Sequence, residues 1–173
     1  MTLDAPRPAR LAAPPTFADA AEAHLDDVYG YLLYLCRNTT VAEDLTGETF
    51  EKAFRLWRRF DPLRGNAKSW LLTIARTTAL DSFRAEERRR RREERAAAPD
   101  LHEDEIGEGL SPELEAALAA LTAGEREVIA LRILLELDGE TAARVLGISP
   151  TACSTRLSRA LKRLEERMTD DSR

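Results

Sequence analysis

Residues 138–164 read DGETAARVLGISPTACSTRLSRALKRL, and their spacing predicts two helices meeting at a tight turn. Asp138 suits the position before a helix, where a carboxylate accepts from free backbone N–H groups. Ala143 falls on the inward side, and Gly147 follows four residues later in a turn that requires positive φ. Ile148 then returns to the core, and Ser149-Pro150 opens the second helix. Cys153, Leu157, Leu164 and either Ala160 or Leu161 make the apolar side of that helix. A small residue, a glycine four positions on and an apolar residue six beyond it is helix-turn-helix spacing. The small alanine lets the first helix cross close over the second. Facing outward are Thr151, Ser154, Thr155, Arg156, Ser158, Arg159 and Lys162. Early polar residues on such a helix can reach base edges, and later arginines suit phosphates. The competing reading is an ordinary helical hairpin with a charged exterior, but cap, glycine, core spacing and basic face agree on DNA.

Outward from this motif, the 173 residues hold hardly any stretch that alternates with period two, so we expect an all-α protein. A charged fraction of 33%, few aromatic residues and abundant Ala, Leu, Glu and Arg all favour helices. The net charge of −5 is unevenly spread. No Lys or Arg occurs from Ala96 to Glu125, whereas FRAEERRRRREER (83–95) and TRLSRALKRLEER (155–167) are basic. Basic segments in an acidic chain point to local contact with nucleic acid. AAAPDLHEDEIGEG (96–109) breaks the helical pattern with one proline and two glycines. It predicts an acidic flexible linker over 96–111, between helical domains at 16–95 and 112–168. Residues 1–15 read as a disordered Pro-rich tail, and 169–173 as a C-terminal tail.

In the first domain a helix begins near Thr16, with Phe17, Ala21, Leu25, Val28, Leu32 and Leu35 as its stripe. VAEDLTGETF (41–50) opens the next, with Thr40 and Glu43 as a capping box and Glu43 and Asp44 at the positive end of the helix dipole. Glu48 and Glu51 lie too far in for capping to explain them. Beside Leu45 and Phe50 they suggest a docking surface for another protein, against the plainer reading of a solvated face over a core. FDPLRGN (60–66) is a turn. The third helix, from Lys68, puts Trp70, Ile74 and Thr77 or Thr78 on one side and Leu72, Ala75 and Ala79 on another. After the linker, Ser111-Pro112 restarts a helix bearing Leu114, Ala117, Leu118 and Leu121. Thr122 and Glu125 then form a second capping box, opening the helix of Val128, Leu131 and Leu135.

Several functions are disfavoured. No signal peptide or membrane span is visible, so we expect no membrane insertion. Cys36 and Cys153 read as packed thiols of a cytoplasmic protein, and His24 and His102 lack ligand spacing, so no metal is expected. Paired Glu-x-x-His ligands, a phosphate loop and a nucleophile–base pair are all missing, which argues against an enzyme, a cofactor or a small-molecule substrate. A one-component regulator would need a sensor pocket or dimerisation heptad. A polymerase-binding regulator without promoter recognition would leave the helix-turn-helix idle.

AEDLTGETF, FDPLRGNAKSWLLTIARTTALD and GISPTACSTRLSRAL, in this order and spacing, resemble the bacterial RNA polymerase sigma factors of the extracytoplasmic-function (ECF) group. The resemblance spans roughly 16–95 (region 2) and 112–168 (region 4). It implies a non-catalytic initiation subunit that binds core polymerase and directs it to −10 and −35 promoter elements. It also implies that Asp44, Leu45, Glu48 and Phe50 dock on the clamp helices of the β′ subunit, with the β subunit a further contact. Gly47 stands where the common family form has Gln. Phe60, Asp61, Arg64, Asn66, Arg76, Thr77, Arg84 and Arg88 would face the −10 region, where the family captures a flipped base and separates the strands. Trp70 would pack beneath them. For the arginine run 88–92, salt-sensitive phosphate contact and a solvated helix paired to neighbouring glutamates are equally good readings. Thr151, Ser154, Thr155, Arg156, Ser158, Arg159 and Lys162 would serve the −35 element, with Ala152, Cys153 and Ser154 replacing the more usual Thr, Val and Lys. By analogy the acidic linker would thread the polymerase's RNA channel. An anti-sigma protein covering the same faces is a further partner the resemblance implies.

Overall fold

The computed structural model describes residues 15–93 and 112–170. The expectations for the N-terminal tail, the acidic linker and the last three residues lie outside them. Two groups of helices build the fold. The first holds α1 (Phe17–Cys36), α2 (Thr39–Leu56) and α3 (Ala67–Glu93); the second holds α4 (Pro112–Ala119), α5 (Ala123–Ile129), α6 (Gly139–Leu146) and α7 (Pro150–Asp170).

Local chemistry explains most helix starts. Thr16 caps α1, and its hydroxyl and backbone N–H trade hydrogen bonds with Asp19. The start of α2 differs from the sequence expectation. Asn38 is the cap, its Oδ1 accepting from Val41 N at 2.8 Å, and no acidic residue lies in the first turn. Asn, Thr and Thr at 38–40 are all competent caps. Beginning two residues earlier satisfies a donor and leaves Glu43 and Asp44 inside the helix. Asn66 begins α3, accepting from Ser69 N at 2.8 Å. Thr122 and Glu125 form the expected capping box, and Asp138 accepts from Thr141 N at 2.9 Å.

The first group is a three-helix bundle in which each helix touches the other two. Val28, Tyr31 and Leu32 meet Leu45, Ala53, Leu71, Leu72 and Ala75 in its core. Because α1 packs against α2, α3 and α5, its buried arc runs Ala20–Val28–Tyr31–Leu32 and leaves Leu25 48% exposed. The expected stripe is therefore rotated. In the second group α5 passes into a widened turn, Ala130–Leu134, where Leu135 N donates to Ala130 O at 2.9 Å. Ile133 and Leu134 emerge half-exposed from it. Gly147 ends α6 at φ 66, and Ala143 and Cys153 are both buried where α6 crosses α7.

The sequence predicted two domains; it did not predict that they share a core. α3 packs on α6 and α1 on α5, and one apolar cluster runs from Val28 and Leu71 through Leu131 and Val145 to Ala160.

Candidate nucleic-acid interface

The turn between α2 and α3 is built around rings. Phe17 sits edge-on to Phe54 and Trp57, with centroids 5.2 and 5.6 Å apart. Trp57 stacks on Phe60 at 4.7 Å, and Trp70 lies 5.6 Å from both. The rings hold the turn shut while Phe60 and Trp70 stay only partly buried. Asp61 accepts from Leu63 N at 2.9 Å, tightening the bend. Two of the expected −10 residues, Asp61 and Asn66, thus already serve the turn and the helix cap, and each keeps lone pairs for a further partner.

A cleft of roughly 310 Å³ opens beside these rings. Phe60, Arg64, Trp70 and Thr73 line it from the first group, and Arg144 and Val145 close it from the second. Sequence reasoning missed Arg59, Ser69 and Thr73, which also face this cleft. Ser69 and Thr73 lie one and two turns into α3, so their helical spacing was a usable signal. Arg144 had none.

Of the other expected −10 residues, Thr77 and Arg84 are exposed on α3, Thr77 bonding back to Thr73 O and Arg84 3.5 Å from Asp81. Arg88 is exposed on the same helix. Around it Arg89 pairs with Glu86, and Arg90 and Arg91 with Glu87, at 2.6–2.9 Å. Hydrogen bonds from Arg91 are the main cause of a Glu87 carboxyl held below its ordinary range. Arg76 is partly buried. Its Nε and Nη2 donate to the two carboxylate oxygens of Glu127 at 2.8 and 3.3 Å.

The acidic helix separates into two sides. Asp44 and Glu48 are exposed, Glu48 pairing with Lys52 at 2.7 Å. Phe50 is partly buried against Phe17. Leu45 is only 4% exposed and belongs to the bundle core, which corrects its reading as an apolar docking residue. One helix cannot offer the same side chain to its own core and to a partner.

On α7, Thr151, Ser154, Thr155, Ser158, Arg159 and Lys162 are exposed, and Arg156 is partly so. Thr155 and Ser158 donate back to the carbonyls of Thr151 and Ser154, leaving oxygen lone pairs outward. Lys162 lies 3.7 Å from Glu166. Thr151, Thr155, Arg156 and Arg159 border a second cleft, with Thr122 and Glu125 opposite. Glu125 binds Arg163 at 2.7 Å. Burial pushes its carboxyl up, but hydrogen bonds from Thr122 and the charges of Arg163 and Arg156 outweigh that and hold it below the ordinary range. The Arg156 guanidinium lies over Gly124, where a Cβ would stand 3.2 Å from its Nη1.

Cys36 and Cys153 are free, and burial pushes both thiols up, Cys36 to about 11. Neither is poised as a nucleophile.

Residues 20–89 match the Sigma-70 region 2 family, and residues 111–164 match Sigma-70, region 4. The ECF RNA polymerase sigma factor SigC of Mycobacterium tuberculosis is 35% identical over 143 residues, covering 80% of this chain and 76% of that protein. The chain belongs to the ECF RNA polymerase sigma factor family. The ECF sigma factor BldN of Streptomyces coelicolor is 32% identical over 164 residues, covering 91% of this chain. The match spans 62% of BldN's own length. Among solved structures, the sigma factor RpoE of Bartonella quintana, in complex with the anti-sigma factor NepR, is similar at 26% identity. The match covers 88% of this chain and 96% of that one, with a TM-score of 0.75. Such coverage includes both regions, so this sigma factor's regions 2 and 4 are arranged much as they are there. Among the described residues, no helix is long and apolar enough to cross a membrane.

Proposed function

We propose that this sigma factor binds core RNA polymerase and directs promoter-specific initiation, with region 2 serving the −10 element and region 4 the −35 element. It acts in the cytoplasm and performs no catalysis of its own. One observation carries the reading: each region presents a DNA-compatible face in the family's order, an aromatic and arginine-lined turn in region 2 and a basic recognition helix in region 4.

In region 2, a base leaving the stack would pack against Phe60 and Trp70, while Arg64, Arg84 and Arg88 meet phosphates and Thr77 offers its oxygen to a base edge. Stacking is sequence-tolerant and is worth about 1–3 kcal/mol per base, which offsets the few kcal/mol lost on extrusion. In region 4, Thr151, Ser154 and Thr155 lie early on α7 and would read base edges, with Arg156, Ser158, Arg159 and Lys162 bonding to backbone. Asp44 and Glu48 supply the carboxylates for the β′ clamp, and Phe50 sits at the margin of that surface. Ile133 and Leu134, half-exposed on the widened turn, are the candidate apolar contact for the β subunit.

Run-off transcription with purified core polymerase and a promoter pool tests the whole reading. Transcripts starting downstream of a shared −35/−10 pair, dependent on the added chain, are expected. The chain's failure to co-elute with polymerase and to start any transcript would end it. The net charge of −5 further implies weak promoter binding by the isolated chain at physiological salt, because like-charge repulsion opposes approach to DNA.

A further inference from the structure

We propose that Glu125, a positioning residue outside the recognition helix, sets how selectively region 4 reads the −35 element: it ties Arg163 back from DNA and, with Gly124, holds Arg156 in place. The inference rests on the reading that α7 meets the −35 duplex.

Glu125 lies in the first turn of α5, and its side chain is only 8% exposed. One oxygen, Oε2, accepts from Thr122 N at 2.9 Å, from Thr122 Oγ1 at 2.8 Å and from Arg163 Nη1 at 2.7 Å. The capping box therefore fixes the same carboxylate that binds an arginine 38 residues away. Arg163 is 45% exposed, close enough to the surface to reach for a phosphate. Doing so would strand a buried carboxylate whose pKa is held below the ordinary range, and an unpaired buried charge costs far more than a surface ion pair is worth. Arg163 is thus a cation withheld from DNA.

Arg156 stands about two turns earlier on the same side of α7. Its guanidinium lies over Gly124, where a Cβ would be 3.2 Å from Nη1 and 3.4 Å from Cζ, and it adds to the positive field on the Glu125 carboxylate. The glycine lets the guanidinium close on the α5 backbone, and the carboxylate attracts it there. Thr151, Thr155 and Arg159 line the same cleft. Non-specific affinity grows with the number of phosphates neutralised, whereas phosphate contacts of fixed geometry set the register in which base edges are read. Fewer and better ordered cations favour the correct register over the others.

The full chain is compared as wild type, Glu125→Gln, Arg163→Gln and the double variant. Glutamine keeps the capping box and removes the charge. Each variant, assembled with core polymerase, selects from a promoter pool randomised at the −35 positions, and sequencing gives the enrichment. Each full chain alone is also titrated with a mixed-sequence duplex, from low ionic strength upward. For Glu125→Gln, enrichment should fall about two- to tenfold, the cost of ordering one long side chain on binding. Its slope of log affinity against log salt should steepen by about 0.9, the mark of one added phosphate contact, and the double variant should return to the wild-type slope. Arg163→Gln alone should keep that slope. Wild-type enrichment or a wild-type slope for Glu125→Gln overturns the inference, as does a shallower slope for Arg163→Gln, and each leaves the −35 reading standing. A wild-type holoenzyme that enriches no −35 sequence refutes that reading and the inference with it. Thermal melting is the folding control, since a carboxylate that only capped α5 would lower the folded fraction and move neither enrichment nor slope. Where Glu125→Gln fails to fold, the slope of Arg163→Gln decides.

Discussion

Replacing Leu45 with alanine and, separately, Asp44 with lysine tests whether α2 is divided between packing and docking. Leu45 is 4% exposed among Leu32, Leu71 and Ala75. Truncating a leucine so buried removes its transfer free energy and leaves a cavity, at a cost of about 2–5 kcal/mol. For a chain of this size each kcal/mol lowers Tm by roughly 2–4 °C, so a loss of about 3 kcal/mol predicts a fall of about 6–12 °C. Asp44 is exposed, and its exchange should leave stability within about 0.5 kcal/mol. As a charge at the edge of a docking surface, its reversal should weaken polymerase binding by roughly three- to tenfold, less at high salt. Thermal melts at 222 nm and anisotropy of labelled chain titrated with core polymerase, at a temperature where both variants are folded, give the two readouts. Leu45→Ala should melt early and still bind, while Asp44→Lys should melt normally and bind weakly. A Leu45→Ala chain that melts like wild type but no longer binds polymerase would refute the assignment of Leu45 to the core.

Three further outcomes are expected. Gly47 lies exposed within α2, with nothing within 4 Å of a Cβ built there. Gly47→Ala should therefore stabilise the chain by about 0.5–1 kcal/mol, seen as a higher denaturation midpoint. Gly147 has φ 66, so Gly147→Ala should cost about 1–2 kcal/mol and weaken −35 binding in proportion to the misfolded fraction, measured by melting and promoter-binding assays. Glu125 has a folded-state pKa below its ordinary value. Its contribution is therefore complete above the ordinary carboxylate range and is lost as pH falls through the lowered value. Denaturation midpoints measured down through the acid range should fall less steeply for Glu125→Gln than for wild type.

Region 4 was legible because its determinants are local. Asp138, Gly147 and Ser149-Pro150 act on backbone within three or four residues, and Ala143 and Cys153 follow from helical period. The box at Thr122 is equally local. At Asn38–Thr40 local rules ran out, since three adjacent residues can each cap a helix and only packing of α2 against α1 and α3 chooses among them. The same limit applies to Leu45, whose place between an acidic face and a core depends on helix phase, which a short stretch leaves open by a residue.

The order of elements, the all-helical class, the recognition helix and the ECF resemblance were decided by sequence alone, through periodicity, capping chemistry and motif spacing. Tertiary structure alone decided that the two regions share a core, that Arg76 meets Glu127 51 residues away and that Arg144 reaches the Arg64 carbonyl across 80. Groups so distant along the chain carry no pairing signal in their own neighbourhoods. Their partners are chosen by the apolar burial that brings α3 onto α6, and by the cost of leaving the buried Glu127 carboxylate unpaired.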